Sequence, residues 1–480
     1  MQTKRTDDRS IHPVDRPGID DTRSREVADP QFAPRLDGLA GERPVAVIGA
    51  GPVGLAAAAH LLERGLEPVI FEAGERVAAS VATWAHVPMF SAWRTNLDDA
   101  AVRLLEPTGW TAPDLDAAPT GGELIARYLE PLAAVPALAS RLRLRSRVLA
   151  VGRQGLDKLR DRDGVSGASR GELPFVLDLE TPAGPERFAA RAVLDASGTW
   201  ASPAPLGGDG RPAMGESSLG GRLATGLPDV LGVERDRFAG RRTAVIGAGH
   251  SAVHAVLDLL RLRAETGAGE VVWILRKASV DEVFRGREDD ALRGRGRLAT
   301  RIRKAVEEGD VEVVTPFVAE EIRRAAEGLD LVGRTDVGVR HLHVDEAIVA
   351  TGTRPDLGML REVRLDLDPA VEAPRALAPL IDPNVHSCGS VPAHGEAELR
   401  QPEAGFYLVG MKSYGRAPTF LLRTGYGQVR SIAAFLSGDL EAARTRAVAP
   451  FAADAGPCGG PPAGASASCE APTRSAAICC

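Results

Sequence analysis

Two glycine-rich segments in this 480-residue chain have the spacing of a phosphate-binding turn. The first follows the apolar run Val45–Ile48, which is typical of a buried parallel strand. Glycines in such a turn permit a tight bend and close approach of a pyrophosphate, and the N-terminus of the next helix attracts anions. Glu72 follows the next apolar strand, 18 residues after the last glycine, where a carboxylate can bind ribose hydroxyls. The predicted dinucleotide contacts are Gly49, Gly51, Pro52, Val53, Gly54 and Glu72.

The second segment repeats this order further along the chain, with alanine in place of the third glycine. Its predicted contacts are Gly247, Gly249, His250, Ser251 and Ala252. The strand predicted at residues 271–275 then runs into Arg276 and Lys277 rather than into a carboxylate. Guanidinium and ammonium groups match a 2′-phosphate, so this pair favours NADPH over NADH, unless it is only a solvated strand end. His250 is interpreted as a phosphate contact or a polar cap, without a catalytic role.

The elements that position these segments are repeated as well. After the first βαβ unit come β-like stretches at residues 146–151, 174–179 and 187–194, and then a turn with Ser197 and Gly198. After the second unit come stretches at 311–318, 329–332 and 341–349, and then Thr351 and Gly352. We therefore predict an α/β fold with two Rossmann-like dinucleotide-binding domains, each with a small antiparallel β-meander.

The repetition also predicts how the chain is divided. Residues 44–205 form the first part of one dinucleotide-binding domain, 206–240 a Pro/Gly-rich linker, 241–350 the second domain, and 351–447 the remainder of the first. Residues 1–43 mix both charges with Pro and Gly and are predicted to be a mobile arm. Residues 448–480 are predicted to be a disordered, Cys-containing tail, because they bury too little apolar surface to offset ordering.

Composition argues against several classes of function. The net charge of −7 speaks against nucleic acid as a partner. No apolar run reaches the ~18 residues of a membrane span. No signal-peptide core is found near Met1, so we expect a cytoplasmic protein without a membrane partner. One cysteine, Cys388, lies in the predicted body, which argues against a disulfide framework.

The remaining cysteines lie in the predicted tail, and they are Cys458, Cys469, Cys479 and Cys480. Their spacing matches no zinc framework, and no resident metal is predicted. Vicinal thiolates on a flexible segment suit soft metal or metalloid ions, whereas the plainer interpretation is an inert low-complexity end.

The two glycine-rich segments, residues 49–54 and 247–252, are called the first and second fingerprints. Together with the paired small-residue turns and the order of elements, they resemble the two-dinucleotide-binding-domain flavoproteins over about residues 44–447. Within these, ATGTRPD at residues 350–356 and the dipeptide Thr95-Asn96 in FSAWRTNLD are similar to the flavin-containing monooxygenase branch. The resemblance implies FAD at the first fingerprint and NADPH at the second. It also implies a catalytic Asn96, whose amide lies near the flavin C4a position. The further predicted cofactor contacts are Trp93, Val148, Ser197, Gly198, Thr351 and Gly352.

Residues 90–98 and 409–432 further resemble the monooxygenase-like flavoproteins encoded in arsenic-resistance gene clusters. The second stretch predicts a strand, a Gly turn and a helix at 417–435. In related flavoproteins this helix lies under the flavin ring, and backbone N–H groups at its start support negative charge there. Gly410 and Lys412 are the candidate contacts, against a plain turn and a surface lysine. Two features depart from the branch: residues 198–240 contain no His, and Leu97-Asp98 replaces the usual Pro-Lys or Ser-Lys.

These observations predict an NADPH-dependent FAD oxidoreductase of the monooxygenase-like kind, with O2 and a small-molecule substrate as partners. NADPH would reduce FAD by hydride transfer, and activated O2 would oxidise a soft nucleophile. The alternative is a flavin-dependent reductase of disulfides or metal(loid) ions that uses the C-terminal Cys pair. No cysteine precedes Cys388, so the body lacks the pair that such reductases hold against the flavin. A redox sensor or metallochaperone with a structural flavin is a third reading, and a homodimer is one possible assembly.

Overall fold

The computed structural model describes residues 43–284, 293–383 and 391–445. The predicted N-terminal arm, apart from Arg43, and the predicted Cys-containing tail lie outside these ranges, as does Cys388. None of the helices in the described ranges combines the length and the apolar character that a membrane span requires.

The strands are short in the parallel sheets and longer in the antiparallel ones. Those of the first half are β1 (Val45–Ile48), β2 (Pro68–Phe71), β3 (Leu142–Arg143), β4 (Arg147–Arg153), β5 (Phe175–Thr181), β6 (Gly184–Ala190) and β7 (Ala192–Asp195). Those that follow are β8 (Leu223–Thr225), β9 (Arg242–Ile246), β10 (Glu270–Ile274), β11 (Glu312–Val314), β12 (Val318–Arg324), β13 (Leu329–Thr335), β14 (Gly338–Val344), β15 (Glu346–Val349) and β16 (Phe406–Leu408).

The helices vary from a single turn to more than four turns. In the first half they are α1 (Pro52–Glu63), α2 (Ala79–Ala82), α3 (Trp93–Asn96), α4 (Asp99–Leu105), α5 (Gly121–Leu124), α6 (Glu130–Ala134) and α7 (Pro136–Ala139). The later ones are α8 (Arg235–Phe238), α9 (His250–Thr266), α10 (Asp281–Phe284), α11 (Arg293–Glu307), α12 (Ala378–Ile381), α13 (Glu396–Leu399), α14 (Leu422–Leu436) and α15 (Leu440–Arg444). The helix predicted at 417–435 thus begins five residues later, because residues 417–421 are not helical and the N-cap residue Leu421 has an extended backbone.

Two five-stranded parallel sheets have the same layout. The strand order is β16-β7-β1-β2-β3 in the first and β11-β10-β9-β15-β8 in the second. The central strand β1 lies between β2, which follows α1, and β7. In the same way β9 lies between β10, which follows α9, and β15. The outer strand β16 comes from the last part of the described chain, so the second half is inserted between strands of the first. The predicted α/β class with two Rossmann-like sheets is confirmed.

A three-stranded antiparallel meander accompanies each parallel sheet, as predicted: β4-β5-β6 in the first half and β12-β13-β14 in the second. Some predicted stretches are assigned wrongly. Residues 187–194 and 341–349 each divide between the last meander strand and the strand that returns to the parallel sheet. Residues 311–318 cover β11, the edge of the parallel sheet, and reach only the first residue of β12. In each case the apolar pattern continues across a turn and does not mark its position.

The predicted linker, residues 206–240, is instead a folded part of the second half. It supplies β8, which pairs in parallel with β15, and it contains α8. Leu206, Ala213 and Leu219 are buried in the same core cluster as Ile246 of β9. The prediction is wrong because turn-forming residues also occur in loops that pack against a core, so composition alone does not identify a tether.

Both faces of each central strand are buried. In β1, Val45 and Val47 belong to the core cluster that includes α1, whereas Ala46 and Ile48 belong to the cluster under the first meander. The residues of β9 divide between two clusters in the same way. Side chains alternate along a strand, so a strand covered by helices on one face and a meander on the other must be apolar throughout. This explains the uninterrupted apolar runs before both fingerprints.

Candidate cofactor and active site

The first fingerprint forms a close-packed turn between β1 and α1. Gly49 has a φ of +98°, and a Cβ atom there would lie 2.8 Å from the carbonyl oxygen of Ala196. At Gly54 a Cβ atom would overlap the carbonyl oxygen of Gly49, which explains why the helix can approach the strand so closely. A Cβ atom at Gly51 would meet nothing within 4 Å. The middle glycine therefore faces open space, into which a pyrophosphate fits.

The N-terminus of α1 has the donors that such a ligand needs. Gly51 is its N-cap residue and makes no side-chain capping bond, and the first turn contains no acidic residue. Pro52 at the first helical position has no N–H group, so the donors begin at Val53. The first backbone N–H groups of a helix have no partner within the helix, and they carry part of its positive dipole. These features fit the predicted diphosphate of FAD.

Glu72 lies at the carboxyl end of the sheet, beside the fingerprint. Its Oε2 accepts a hydrogen bond from the backbone N–H of Ala50 at 2.8 Å, and its Oε1 accepts one from Gly74 at 2.7 Å. A carboxylate has about four acceptor positions, so both oxygens keep capacity for ribose hydroxyls. The backbone of Ser146 runs alongside, since its N–H donates to the Glu72 carbonyl. Val148, two residues on, is buried in the core under the meander, so its cofactor contact would have to come from its backbone.

The second fingerprint repeats the first with one substitution. Gly247 has a φ of +140°, and a Cβ atom there would overlap the carbonyl oxygen of Ala350. A Cβ atom at Gly249 would again meet nothing within 4 Å. Ala252, at the third position, is fully buried, and α9 begins at His250 with no capping side chain and no acidic residue in its first turn. This geometry fits a second dinucleotide pyrophosphate.

The basic pair lies at the carboxyl end of β10, beside this second turn. Arg276 is exposed, and its Nη1 donates to the carbonyl of Gly208 at 2.9 Å. Lys277 is half-buried, and its Nζ donates to the carbonyl of Glu282 at 3.0 Å. Both cations thus bind backbone carbonyls of nearby segments, which are weaker acceptors than a phosphate.

A ring contact joins the second fingerprint to the segment that contains Asn96. The imidazole of His250 lies 5.3 Å from the phenyl ring of Phe90, measured between centroids. Phe90 is the first residue of the predicted FSAWRTNLD segment, whereas His250 is the first residue of α9. The structure therefore places the start of α9 against the segment that contains Asn96, a contact that the sequence did not indicate. Ser251 follows on the first turn of α9 and is half-buried.

Asn96 is buried, with 1% of its surface exposed, at the end of α3. Its Oδ1 accepts a hydrogen bond from Ser91 Oγ at 2.8 Å, and its Nδ2 donates to the Ser91 carbonyl at 2.9 Å. The Tyr426 hydroxyl donates to the Asn96 carbonyl at 2.8 Å, from α14. An amide nitrogen has two N–H donors, and the bond to Ser91 uses one of them. Trp93, on the same turn, is buried in the core under the guanidinium of Arg127.

Asp98, which departs from the pattern of the monooxygenase branch, has a structural role. It is the N-cap of α4, where its Oδ1 accepts a hydrogen bond from the backbone N–H of Ala101 at 3.0 Å. Its Oδ2 lies 2.9 Å from His60 Nε2, and both residues are buried. The Tyr128 hydroxyl accepts a hydrogen bond from the Asp98 backbone N–H at 3.0 Å. These contacts fix the chain immediately after Asn96.

A buried ion pair joins the end of β7 to the segment that follows β16. Lys412 Nζ lies 2.7 Å from Asp195 Oδ2, and the two residues are 1% and 0% exposed. The Ser197 hydroxyl donates to Asp195 Oδ1 at 2.6 Å and accepts a hydrogen bond from Lys412 Nζ at 3.0 Å. The alternative of a surface lysine is therefore wrong. Gly410 has a φ of +66°, and a Cβ atom there would lie 3.3 Å from Val53, so this turn packs on the first fingerprint.

A polar cluster beneath Gly410 was not predicted from the sequence. Gln428 Oε1 accepts a hydrogen bond from the Gly410 backbone N–H at 2.8 Å, and its Nε2 donates to Ser413 Oγ at 2.8 Å. The same Nε2 lies 3.0 Å from His394 Nε2, whose ring also contacts Tyr414. All four side chains are buried. Gln428 shares α14 with several other polar residues, among them Arg423, Arg430 and Ser431, so the sequence carries no distinct signal for this cluster.

The two predicted small-residue turns lie side by side where the chain crosses between the halves. Gly198 and Gly352 have φ angles of +72° and +96°. Thr351 Oγ1 donates to the carbonyl of Ala204 at 2.7 Å, and the backbone N–H of Ala204 donates to the carbonyl of Gly352 at 2.9 Å. The crossovers thus form a short two-stranded connection. In the described ranges no group of three or more His, Cys, Asp or Glu side chains is arranged to hold a metal ion.

Solved structures of other proteins share this fold. The bacillithiol disulfide reductase from Bacillus cereus is 18% identical, with a TM-score of 0.61 over 82% of this chain and 99% of its own. The ornithine N-hydroxylase from Kutzneria sp. 744 is 17% identical, with a TM-score of 0.53 over 83% and 98%. The FAD-bound cadaverine monooxygenase from Erwinia amylovora is 14% identical, with a TM-score of 0.54 over 83% and 95%. At these identities the likeness concerns the fold alone.

A comparison with proteins of curated function finds no match. A family model does match residues 43–401, about three quarters of the chain, and it describes the pyridine nucleotide-disulphide oxidoreductases. The match spans both fingerprints, both meanders and both crossover turns. Enzymes of this family are flavin-dependent oxidoreductases that use pyridine nucleotides. Fold, fingerprint geometry and family model agree, and the chain belongs to the pyridine nucleotide-disulphide oxidoreductase family.

Proposed function

We propose that this chain is an NADPH-dependent FAD oxidoreductase that activates O2 and oxidises a soft nucleophile in a small-molecule substrate. The observation that carries the proposal is the contact between Phe90 and His250. It connects the N-terminus of α9, where the nicotinamide nucleotide would bind, to the segment that positions Asn96. Donor and acceptor chemistry would then meet on one side of the molecule.

FAD would be held by the first fingerprint, with its diphosphate above Gly51 and its ribose at Glu72. When bound, FAD supplies a ring that accepts a hydride from a reduced nicotinamide and passes the electrons to an acceptor. Gly410 and the turn after β7 would line the path from the diphosphate to that ring. NADPH would bind above Gly249, and its 2′-phosphate would displace the carbonyl contacts of Arg276 and Lys277.

Two features favour oxygen over a disulfide as the electron acceptor. The ranges 43–284, 293–383 and 391–445 contain no cysteine, so no thiol pair from these ranges lies against either fingerprint. The side chain of Asn96, in contrast, is held by two hydrogen bonds to Ser91, which use one of its two amide N–H groups, and Tyr426 holds its backbone carbonyl. A preorganised donor of this kind stabilises developing negative charge on oxygen.

The second candidate is a flavin-dependent reductase of disulfides or metal(loid) ions. Its support is Cys479-Cys480, a vicinal pair whose soft thiolates suit soft acceptors. In this case electrons would pass from the flavin to the tail thiols rather than to O2.

One experiment separates these candidates. The enzyme is reduced with NADPH without oxygen and then mixed with O2, and the H2O2 released per NADPH consumed is measured in the presence of a soft nucleophile. Asn96→Ala should raise that ratio, because donors in oxyanion sites contribute about 2.7–4 kcal/mol, here an upper limit. Thr95→Ser is the matched control, since Thr95 Oγ1 bonds only the local carbonyl of Ala92 among the contacts of its turn.

The outcomes are distinct. Complete conversion to H2O2 in the wild type, unchanged in Asn96→Ala, contradicts the monooxygenase proposal. NADPH consumption that depends on a thiol or metalloid and is lost in Cys479→Ser with Cys480→Ser supports the reductase instead. If that consumption survives in the double variant, the tail is not the acceptor.

A further inference from the structure

The ion pair between Asp195 and Lys412 has no counterpart in the second half. Asp195 pairs with Ile48 at the end of β1, and in the second sheet Val349 pairs with Ile246 at the equivalent end of β9. The flavin half therefore has a buried carboxylate at the strand position where the nicotinamide half has an apolar residue. A fold of this kind does not require the charge there, since β15 closes its sheet without one.

The pair lies beside the first fingerprint. Asp195 is followed by Ala196, against which Gly49 packs, and the loop of Lys412 begins at Gly410, which packs against Val53. Asp195 and Lys412 thus lie next to the first glycine turn, where the end of β7 meets the loop that begins at Gly410. A flavin bound with its diphosphate above Gly51 would pass this part of the sheet's carboxyl edge between its diphosphate and its ring.

Because Lys412 is buried, its charge acts more strongly on a nearby redox group than it would in water. An effective dielectric constant near 20, rather than about 80 as in water, increases the effect of a fixed charge on a nearby redox group roughly fourfold. Hydride transfer carries two electrons and one proton from the nicotinamide to the flavin. The flavin ring gains one negative charge, while the nicotinamide gains one positive charge. An unpaired ammonium near the ring would favour this reduction, and a carboxylate 2.7 Å from that ammonium offsets it.

We propose that Asp195 masks the charge of Lys412 and thereby keeps the reduction potential of the bound flavin low. Asp195 is in this sense a tuning residue, which acts on the flavin through Lys412. A low potential favours the passage of electrons onward to an acceptor such as O2. The proposal rests on the proposed FAD site, but not on the identity of the electron acceptor.

The test is a potentiometric titration of the FAD-loaded enzyme against a reference dye, followed by flavin absorbance. Asp195→Asn should shift the reduction equilibrium about tenfold towards the reduced form, which for a two-electron couple is about 30 mV. Lys412→Met should shift it in the opposite direction, and the double variant should return close to the wild type. Glu403→Gln is the control, because Glu403 is also a buried carboxylate, paired with Arg153 and Arg170. It lies just before β16, at the amino end of the parallel strands, whereas Asp195 lies at their carboxyl end.

The two proposals fail in different ways. Wild-type protein that binds no flavin contradicts the FAD site itself. Flavin-loaded Asp195→Asn with the wild-type potential, or with the same shift as Glu403→Gln, overturns the tuning role. If Asp195→Asn does not retain flavin, Lys412→Met decides, and a potential that does not fall in that variant overturns the proposal.

Discussion

In both halves of the molecule the central strand runs into a glycine with positive φ, +98° at Gly49 and +140° at Gly247. Each of these glycines packs against the residue that follows β7 or β15, Ala196 or Ala350, and the second glycine of each turn faces open space. Both helices then begin without a capping side chain or an acidic residue. The pyrophosphate-binding part of the two sites is therefore one structure used twice.

The halves differ at the residues around that shared turn. The strand after the helix leads to Glu72 in the first half and to Arg276 and Lys277 in the second. The closing strand ends in the paired Asp195 in the first half and in Val349 in the second. On the proposed function, backbone geometry would provide affinity for either dinucleotide, whereas side chains at the strand ends would select the ribose, its phosphate and the charge near the reacting ring.

The largest effect is expected where the shared turn is blocked in one half at a time. Gly51→Trp should abolish FAD retention, because the side chain would fill the open space above the turn. Gly249→Trp should retain FAD but lose reduction by NADPH. Flavin absorbance per protein and anaerobic bleaching by NADPH measure the two losses, with circular dichroism as the check on folding. Full flavin absorbance in Gly51→Trp would show that the first fingerprint does not bind FAD.

The parts of this comparison that depend on adjacent residues could be predicted from the sequence. Turn, helix start and strand-end charge all lie within about 30 residues of each fingerprint, and β1 and β9 are apolar because both faces are covered. Contacts between distant segments could not be predicted. Lys412 meets Asp195 across 217 positions, and Phe90 meets His250 across 160. Neither pairing leaves a local pattern, because the fold alone brings the partners together.

A second prediction concerns the strand-end charges. The double variant Arg276→Ala with Lys277→Ala should lose preference for NADPH over NADH, measured as the ratio of kcat/KM values. Each charge-assisted phosphate contact contributes about 1.5–3 kcal/mol, which is about tenfold or more in affinity. Arg323→Ala, an exposed arginine of the second meander, is the control. A double variant with the wild-type ratio would mean that the basic pair is only a solvated strand end.

The smallest effects should come from exchanging the third residue of the two fingerprints. Gly54→Ala places a Cβ atom against the carbonyl oxygen of Gly49, and overpacking of this kind costs about 1–3 kcal/mol in the free energy of unfolding. Ala252→Gly creates no overlap and should cost only about 0.5–1 kcal/mol, through the greater backbone entropy of glycine in the unfolded chain. Urea unfolding of the flavin-free proteins measures both, with unchanged m values as the sign that the same surface is exposed. Equal losses in the two variants would contradict this difference in helix packing. They would mean that α1 can move away from β1 and make room for the added Cβ atom at little cost. A larger loss in Gly54→Ala, accompanied by weaker FAD retention, would show that the close approach of helix and strand in the first half also shapes its cofactor site.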